Sequence, residues 1–340
     1  ALGAALEAAL LATASNRAEA AYAKLEAILD APAKEEAAAA RVSSAVYEVM
    51  GAFAGELPKA GLLKLKERAL ALFGSGATFE ACSTAAIALG ATLKTAVAKG
   101  TVGAADEPTA LLAASLEGLG VANSAAESRV AAHGLGAAVA ALGEVSLGTH
   151  GVYTRLVALM GAKSPKEAAF AAEAATLAAG QLCIALRFKF EPYAVPLLPT
   201  LMKLLADKDK KVADAATLAA RAAIGGLSHL SVESVVGALY DGMQVVGGGG
   251  RVKIEALKLA SILAERAPTT MGPCLPQCIP LVIECINDSN AKVQAAGEAA
   301  LPVLCSCVVN AEVANTLKDF ILTAPRRPDT TLDCIDEVLL

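Results

Sequence analysis

Ala174-Ala175-Thr176-Leu177-Ala178-Ala179 recurs residue for residue as Ala215-Ala216-Thr217-Leu218-Ala219-Ala220, so that position 174 maps onto position 215. The frame extends beyond the two copies. Lys211-Val212 opens the Ala-rich run that holds the second copy, and Lys253-Ile254, Lys292-Val293 and, upstream, Arg129-Val130 open similar runs. With Ala171 standing for the first copy, the markers are Val130, Ala171, Val212, Ile254 and Val293, which follow one another at nearly even intervals. Arg41-Val42 marks a further unit, and a weaker one near Ser83 is followed by an insertion. A period of about 40 residues is that of stacked antiparallel helix pairs, none of which buries its apolar stripe without its neighbours.

The interior of each unit has the same plan. Val195, Leu197, Leu198, Leu201, Leu204 and Leu205 recur at helical spacing and make an amphipathic first helix. The tract Asp207-Lys208-Asp209-Lys210-Lys211 follows, in which Asp209 can cap a second helix whose inward side carries Val212, Ala215, Ala216, Ala219 and Ala222 or their neighbours. The plan returns as 275–286, then Asn287-Asp288-Ser289-Asn290, then 293–303. Pro196, Pro199, Pro276 and Pro280 fall in first helices, where proline bends a helix or delays its start. The expected fold is an all-α solenoid of HEAT or armadillo-like helix pairs, with about seven or eight repeats and about sixteen helices. Residues 1–110 read as divergent repeats and 111–340 as regular ones continuous with them, and Gly100–Thr109 reads as the clearest long loop.

Composition agrees and narrows the function. Of 340 residues about a quarter are Ala, 55% are hydrophobic, 4% are aromatic and none is Trp. Ala is the best helix former and is disfavoured in strands, which excludes an all-β protein. High hydrophobicity with a net charge of only −5 excludes a disordered chain. The same charge speaks against a general DNA- or RNA-binding groove, because backbone binding needs an excess of Lys and Arg and stacking aromatics. No uncharged apolar run approaches the ~18 residues of a membrane span; the nearest, 271–283, is shorter and contains Pro273, Pro276 and Pro280. The chain opens on Ala1, which either initiator-Met excision or presequence removal produces.

Chemistry-bearing constellations are sparse. Gly247-Gly248-Gly249-Gly250 is not followed by Gly-Lys-Ser or Gly-Lys-Thr, so it reads as an inter-helix turn and not a phosphate loop. Cys274, Cys278, Cys285, Cys305 and Cys307 lack paired metal-ligand spacing and have no nearby His, which makes them small core residues. His133, His150 and His229 are isolated from one another in sequence. No catalytic residue, metal or cofactor is expected, so function must lie in surfaces. The candidate surface is a ridge made by the stacked turns, carrying Lys208, Lys210, Lys211, Arg251, Lys253, Asn290, Lys292, Arg326 and Arg327. The plainer alternative is a set of solvated, nearly balanced turns.

Phe190-Glu191-Pro192-Tyr193, followed by Val195, Leu198, Pro199 and the acidic turn, resembles a HEAT unit of two translation proteins. These are the large activator of the general amino-acid control kinase and fungal elongation factor three. Cys274-Leu275-Pro276 through Lys292-Val293-Gln294-Ala295-Ala296-Gly297 resembles the next-but-one unit of the activator, and Thr331–Leu340 the start of a later one. The resemblance covers Ala168–Leu340 and implies a scaffold that docks on the ribosome or holds a partner. The glycine run before Arg251 departs from it, since the families tend to show a Trp followed by basic residues there. The Ala-rich composition, the missing Met and the size are also similar to helical-repeat subunits of the peripheral stalk of green algal mitochondrial ATP synthase. The resulting expectation is a non-catalytic structural subunit of a large assembly on the matrix side of the mitochondrion, foremost that stalk, with other protein subunits as partners. The alternative is a cytoplasmic, ribosome-associated translation regulator.

Overall fold

The computed structural model of the chain describes residues 18–30, 45–47, 49–50, 59–99, 106–161, 166–245 and 249–307, and among them every regular element is helical. Their contacts divide into two units, Ala1–Leu186 and Arg187–Leu340.

The first unit holds α1 (Ala18–Asp30), α2 (Lys59–Gly74), α3 (Phe79–Lys99), α4 (Asp106–Val121), α5 (Ala125–Leu142), the short α6 (Val145–Thr149), α7 (Val152–Met160) and α8 (Lys166–Leu186). Three antiparallel pairs, α2 with α3, α4 with α5 and α7 with α8, stack so that the second helices α3, α5 and α8 pack side by side. Small residues make that layer close. A Cβ on Gly90 of α3 would stand 2.7 Å from Ala140 Cβ, and one on Gly136 of α5 would stand 2.2 Å from Gln181 Cγ of α8. Ser124 caps α5, its hydroxyl accepting from the Glu127 N–H at 3.2 Å while the Glu127 carboxylate accepts from the Asn123 N–H at 2.9 Å. Helix α4 begins at Asp106, so Asp106–Thr109 of the expected loop form a first helical turn; residues 100–105 lie outside the described residues. The sequence-based boundary at 110 therefore falls inside a helix. Helix α3 is long and apolar enough over Phe79–Ala98 to cross a membrane, but it carries Glu80 and Lys94 and is 61% buried, as befits a core helix.

The second unit opens on a 3-10 turn, Arg187–Phe190, followed by α9 (Glu191–Leu204), α10 (Lys210–Gly226), the 3-10 turn His229–Ser231, α11 (Val232–Met243), α12 (Gly250–Arg266), α13 (Pro268–Met271), the 3-10 turn Gly272–Cys274, α14 (Leu275–Ile286) and α15 (Ala291–Cys305). The pairs are α9 with α10, α11 with α12 and α14 with α15; first helices pack on first helices and second on second. Leu197, Leu198, Leu201 and Leu205 are buried as the spacing predicts, whereas Val195 and Leu204 are half-exposed, and Ala223 takes the buried place expected of Ala222. Pro276 sits in the first turn of α14, where its missing N–H costs nothing, while Pro196, Pro199 and Pro280 lie within helices.

Burial also corrects the register. Val212, Val252 and Val293, at 2%, 3% and 0% exposure, each stand at the same short distance after the N-cap, which is Asp209, Gly249 and Asn290 respectively. Ile254 is half-exposed. The marker of the middle pair is thus Val252, which lies midway between Val212 and Val293, as Ile254 does not. Lys253-Ile254 imitates the marker dipeptide, but Arg251-Val252 is the one in phase with the cap.

Candidate interaction ridge

The turns that lead into α10 and α15 are built alike. Asp207 Oδ1 accepts from the Asp209 N–H at 2.8 Å, and Asp209 Oδ1 caps the helix by accepting from the Lys211 N–H at 2.9 Å. Two repeats on, Asp288 Oδ1 accepts from the Asn290 N–H at 2.8 Å, and Asn290 Oδ1 accepts from the Lys292 N–H at 3.0 Å. The intervening turn has Gly249 at the cap and Gly250 opening α12. The following turn comes close here: a Cβ on Gly250 would stand 2.8 Å from Asn290 Nδ2, at the end of an exposed side chain, and 3.8 Å from Val293 Cγ2. Gly247 and Gly248 lie outside the described residues.

The basic residues of the expected ridge separate into two groups. Arg251 and Lys253 are braces between pairs. Arg251 Nη2 donates to Asp214 Oδ1 at 2.7 Å and to Thr217 Oγ1 at 2.9 Å, on the preceding second helix, and Lys253 Nζ donates to Asp288 Oδ2 at 2.7 Å, on the following turn. The bonds from Lys253 and from the Asn290 N–H hold the Asp288 carboxyl below the usual carboxylate range. Lys208, Lys210, Lys211 and Lys292 are exposed at the starts of α10 and α15. Arg326 and Arg327 lie outside the described residues.

A further brace escapes the sequence reading. Arg221 of α10 forks onto Glu255 of α12, with contacts at 3.1, 2.9 and 2.8 Å, and Lys258 Nζ joins Glu255 at 3.3 Å. The legible signal is spacing: Arg221 with Glu255, Arg251 with Asp214 and Lys253 with Asp288 are opposite charges separated in sequence by 34, 37 and 35, a little under one repeat.

Among the described residues no three of His, Cys, Asp and Glu are grouped so as to hold a metal ion. His133 is fully buried in α5, its Nδ1 2.9 Å from Gln181 Oε1 and its ring 5.3 Å from those of Phe73 and Phe79. Burial pushes this imidazole down to about 4, against the Gln181 bond, which favours the proton. His150 and His229 are exposed. Burial pushes the Cys183 and Cys278 thiols up to about 12 and those of Cys82 and Cys285 to about 11. The thiols act as core fillers, as with Cys307, whose Sγ contacts the Ala264 carbonyl at 3.3 Å.

Comparison with known proteins agrees with a helical-repeat fold. Protein ILITYHIA of Arabidopsis thaliana is 31% identical over 240 residues, which cover 69% of this chain and 9% of that protein. The human protein named Stalled ribosome sensor GCN1 is 34% identical over 217 residues, 63% of this chain and 8% of its own length. Elongation factor 3 of Phytophthora infestans is 31% identical over 125 residues, 37% of this chain and 12% of that one. The chain thus spans about a tenth of the length of these relatives. In fold, the karyopherin Kap121p, bound to the extreme C-terminus of the protein phosphatase Cdc14p, superposes with a TM-score of 0.51 at 12% identity, over 95% of this chain and 33% of the karyopherin. These similarities favour the translation proteins; none supports a mitochondrial location or the ATP-synthase stalk. The family described as the EF3 N-terminal HEAT repeat matches residues 128–301, beginning a full repeat upstream of Ala168, where the resemblance read from the sequence starts. That is half of the chain, and the chain belongs to the EF3 N-terminal HEAT repeat family.

Proposed function

We propose that this chain is a non-catalytic scaffold of the translation apparatus whose ridge docks on an anionic surface, foremost that of the ribosome, in the cytoplasm. The observation that carries this reading is the charge at the starts of α10, α12 and α15. A helix N-terminus is partially positive and favours acidic residues in its first turn. None of these three has one; the first turns carry instead Lys210 and Lys211, Arg251 and Lys253, and Lys292. The neighbouring acids are engaged within the unit, Asp209 by a backbone N–H, Asp214 by Arg251 and Asp288 by Lys253 and a backbone N–H. Three helix starts therefore carry basic side chains in their first turns where acidic ones are favoured, with the Asp209 cap as the acidic group at the head of α10. Sites that break a local rule are where function is expected, and helix N-termini with basic side chains attract phosphate. The names Stalled ribosome sensor and Elongation factor 3, borne by relatives, support the ribosome as the source of that phosphate.

The test is co-sedimentation of the full chain with purified ribosomes across a salt series. The chain should pellet at about 50 mM salt and be released by about 200 mM. Replacing Lys208, Lys210, Lys211 and Lys292 by Glu should abolish pelleting. The same variant should be more stable to urea, by about 0.3–1 kcal/mol for each helix start relieved. A variant that pellets like the parent, or a parent that stays in the supernatant at low salt, would overturn the proposal.

A further inference from the structure

Residues 174–179 of α8 and 215–220 of α10 are the same hexapeptide, Ala-Ala-Thr-Leu-Ala-Ala. A stack built from such copies has a problem of identity. Each second helix must find its own neighbour, and in one register, although its Ala-rich surface resembles those of other repeats. Within α8 the pattern even repeats itself, since a slip of one turn sets Ala178-Ala179 in the place of Ala174-Ala175. Contact between small apolar side chains does little to oppose that slip.

Between α5 and α8 a buried polar pair distinguishes the registers. His133 and Gln181 are both fully buried, with His133 Nδ1 2.9 Å from Gln181 Oε1. Gly136 adds a notch, for a Cβ there would stand 2.2 Å from Gln181 Cγ. The slip of one turn sets Ala185 in the place of Gln181, where it cannot bond the imidazole and leaves the notch unfilled. Ser128 Oγ also crosses the seam, but it donates to the Phe170 carbonyl at 3.1 Å, and a backbone acceptor identifies no residue. As a stabilising device the pair is poor. His133 Nε2 and Gln181 Nε2 find no hydrogen-bond partner among the described residues, and polar atoms buried in that way are unfavourable. Polar pairs kept in apolar interfaces are best attested as setters of register and partner.

We propose that His133 and Gln181 form an address tag, which selects α8 over its copy α10, and one register of α8, as the neighbour of α5. The shift that maps position 174 onto position 215 maps Gln181 onto Ala222 and the buried Gly180 onto Arg221. Seated against α5, helix α10 would offer the imidazole no partner and would bury an unpaired guanidinium. Attraction to the right helix and rejection of the wrong one thus come from adjacent positions. In its own place Arg221 is matched by Glu255 of α12, at 3.1, 2.9 and 2.8 Å. The tag acts on which packing forms and leaves the strength of that packing to its apolar surroundings.

The experiment refolds the full chain from urea at neutral pH and follows hydrogen exchange by mass spectrometry on peptides from α5, α8 and α10. The parent should give a single isotope envelope for each. His133→Leu/Gln181→Leu removes the tag and keeps the seam apolar. It should match or exceed the parental urea midpoint, yet show in α5 and α8 a second, faster-exchanging envelope holding at least about a tenth of the molecules. A second comparison turns α10 into a fuller copy of α8. Arg221→Gly/Ala222→Gln should enlarge the second envelope of α5 about twofold or more over Arg221→Gly alone, and adding His133→Leu should remove that increase. Circular dichroism establishes that the variants are folded; should His133→Leu/Gln181→Leu lose helicity, the second comparison decides. A single envelope in the folded His133→Leu/Gln181→Leu chain, two envelopes in the parent, or an effect of Ala222→Gln that is absent or indifferent to His133 overturns the proposal.

Discussion

His133 sits where an Ala-rich helix layer has least room for a polar ring, and its neighbours explain how it is held. Phe73 and Phe79 contact the ring, Gln181 takes one nitrogen, and Gly136 leaves the space that Gln181 fills. The sequence shows an isolated histidine and the pair Gly134 and Gly136 in the middle of a helical run; nothing in the pattern says that Gly136 makes room for the Gln181 side chain, a repeat further on, while Gly134 makes room for Ser115. The energetic consequence is a pH dependence. Because the folded imidazole is pushed down to about 4 while the unfolded one titrates near ~6.5, the unfolded chain binds the proton first as pH falls. The stability contribution is complete above pH ~6.5 and decays towards pH ~4, by roughly 3 kcal/mol in total. Urea midpoints measured across this window should fall with acidity. In the variant His133→Leu/Gln181→Leu, which removes both partners together, the fall should be shallower by about that amount. An unchanged slope would mean that the ring is hydrated in the folded chain.

At the scale of the element, the caps are the most legible feature. Asp209 is readable as an N-cap from Asp-x-Lys before a periodic run, and it does cap α10 through the Lys211 N–H. Asn290 repeats the arrangement. Asp209→Ala should cost about 1 kcal/mol in urea-induced unfolding and Asp209→Asn only a few tenths, since Asn caps as well as Asp. Equal losses would move the effect from the cap to the carboxylate charge. Register is less legible. Two basic/β-branched dipeptides stand side by side, Arg251-Val252 and Lys253-Ile254, and sequence pattern alone cannot rank them; the Gly249 cap ahead of Val252 carries the phase, and glycine is a weak cap signal. The braces stay hidden because their partners are nearly a repeat apart, where no local helix rule operates.

At the scale of the whole molecule, the all-α repeat architecture is legible because one period runs through the chain, and each unit repeats the same decisions about cap, stripe and turn. The partner is not legible to the same degree, because a solenoid surface leaves no catalytic constellation to read; composition and size point towards a mitochondrial stalk that the relatives do not support. One structural consequence reaches beyond both proposals. Burial has silenced cysteines in three separate pairs, Cys82 in α3, Cys183 in α8, and Cys278 and Cys285 in α14. Each can react only when its own pair opens, so the chain carries native stopwatches for local unfolding. In pulsed alkylation at neutral pH, resolved by peptide mass spectrometry, half-exposed Cys274 should be modified first among the described cysteines and Cys183 among the last. Early modification of Cys183 would show that its pair breathes on its own, and the order of the others would record where along the chain helix pairs come apart.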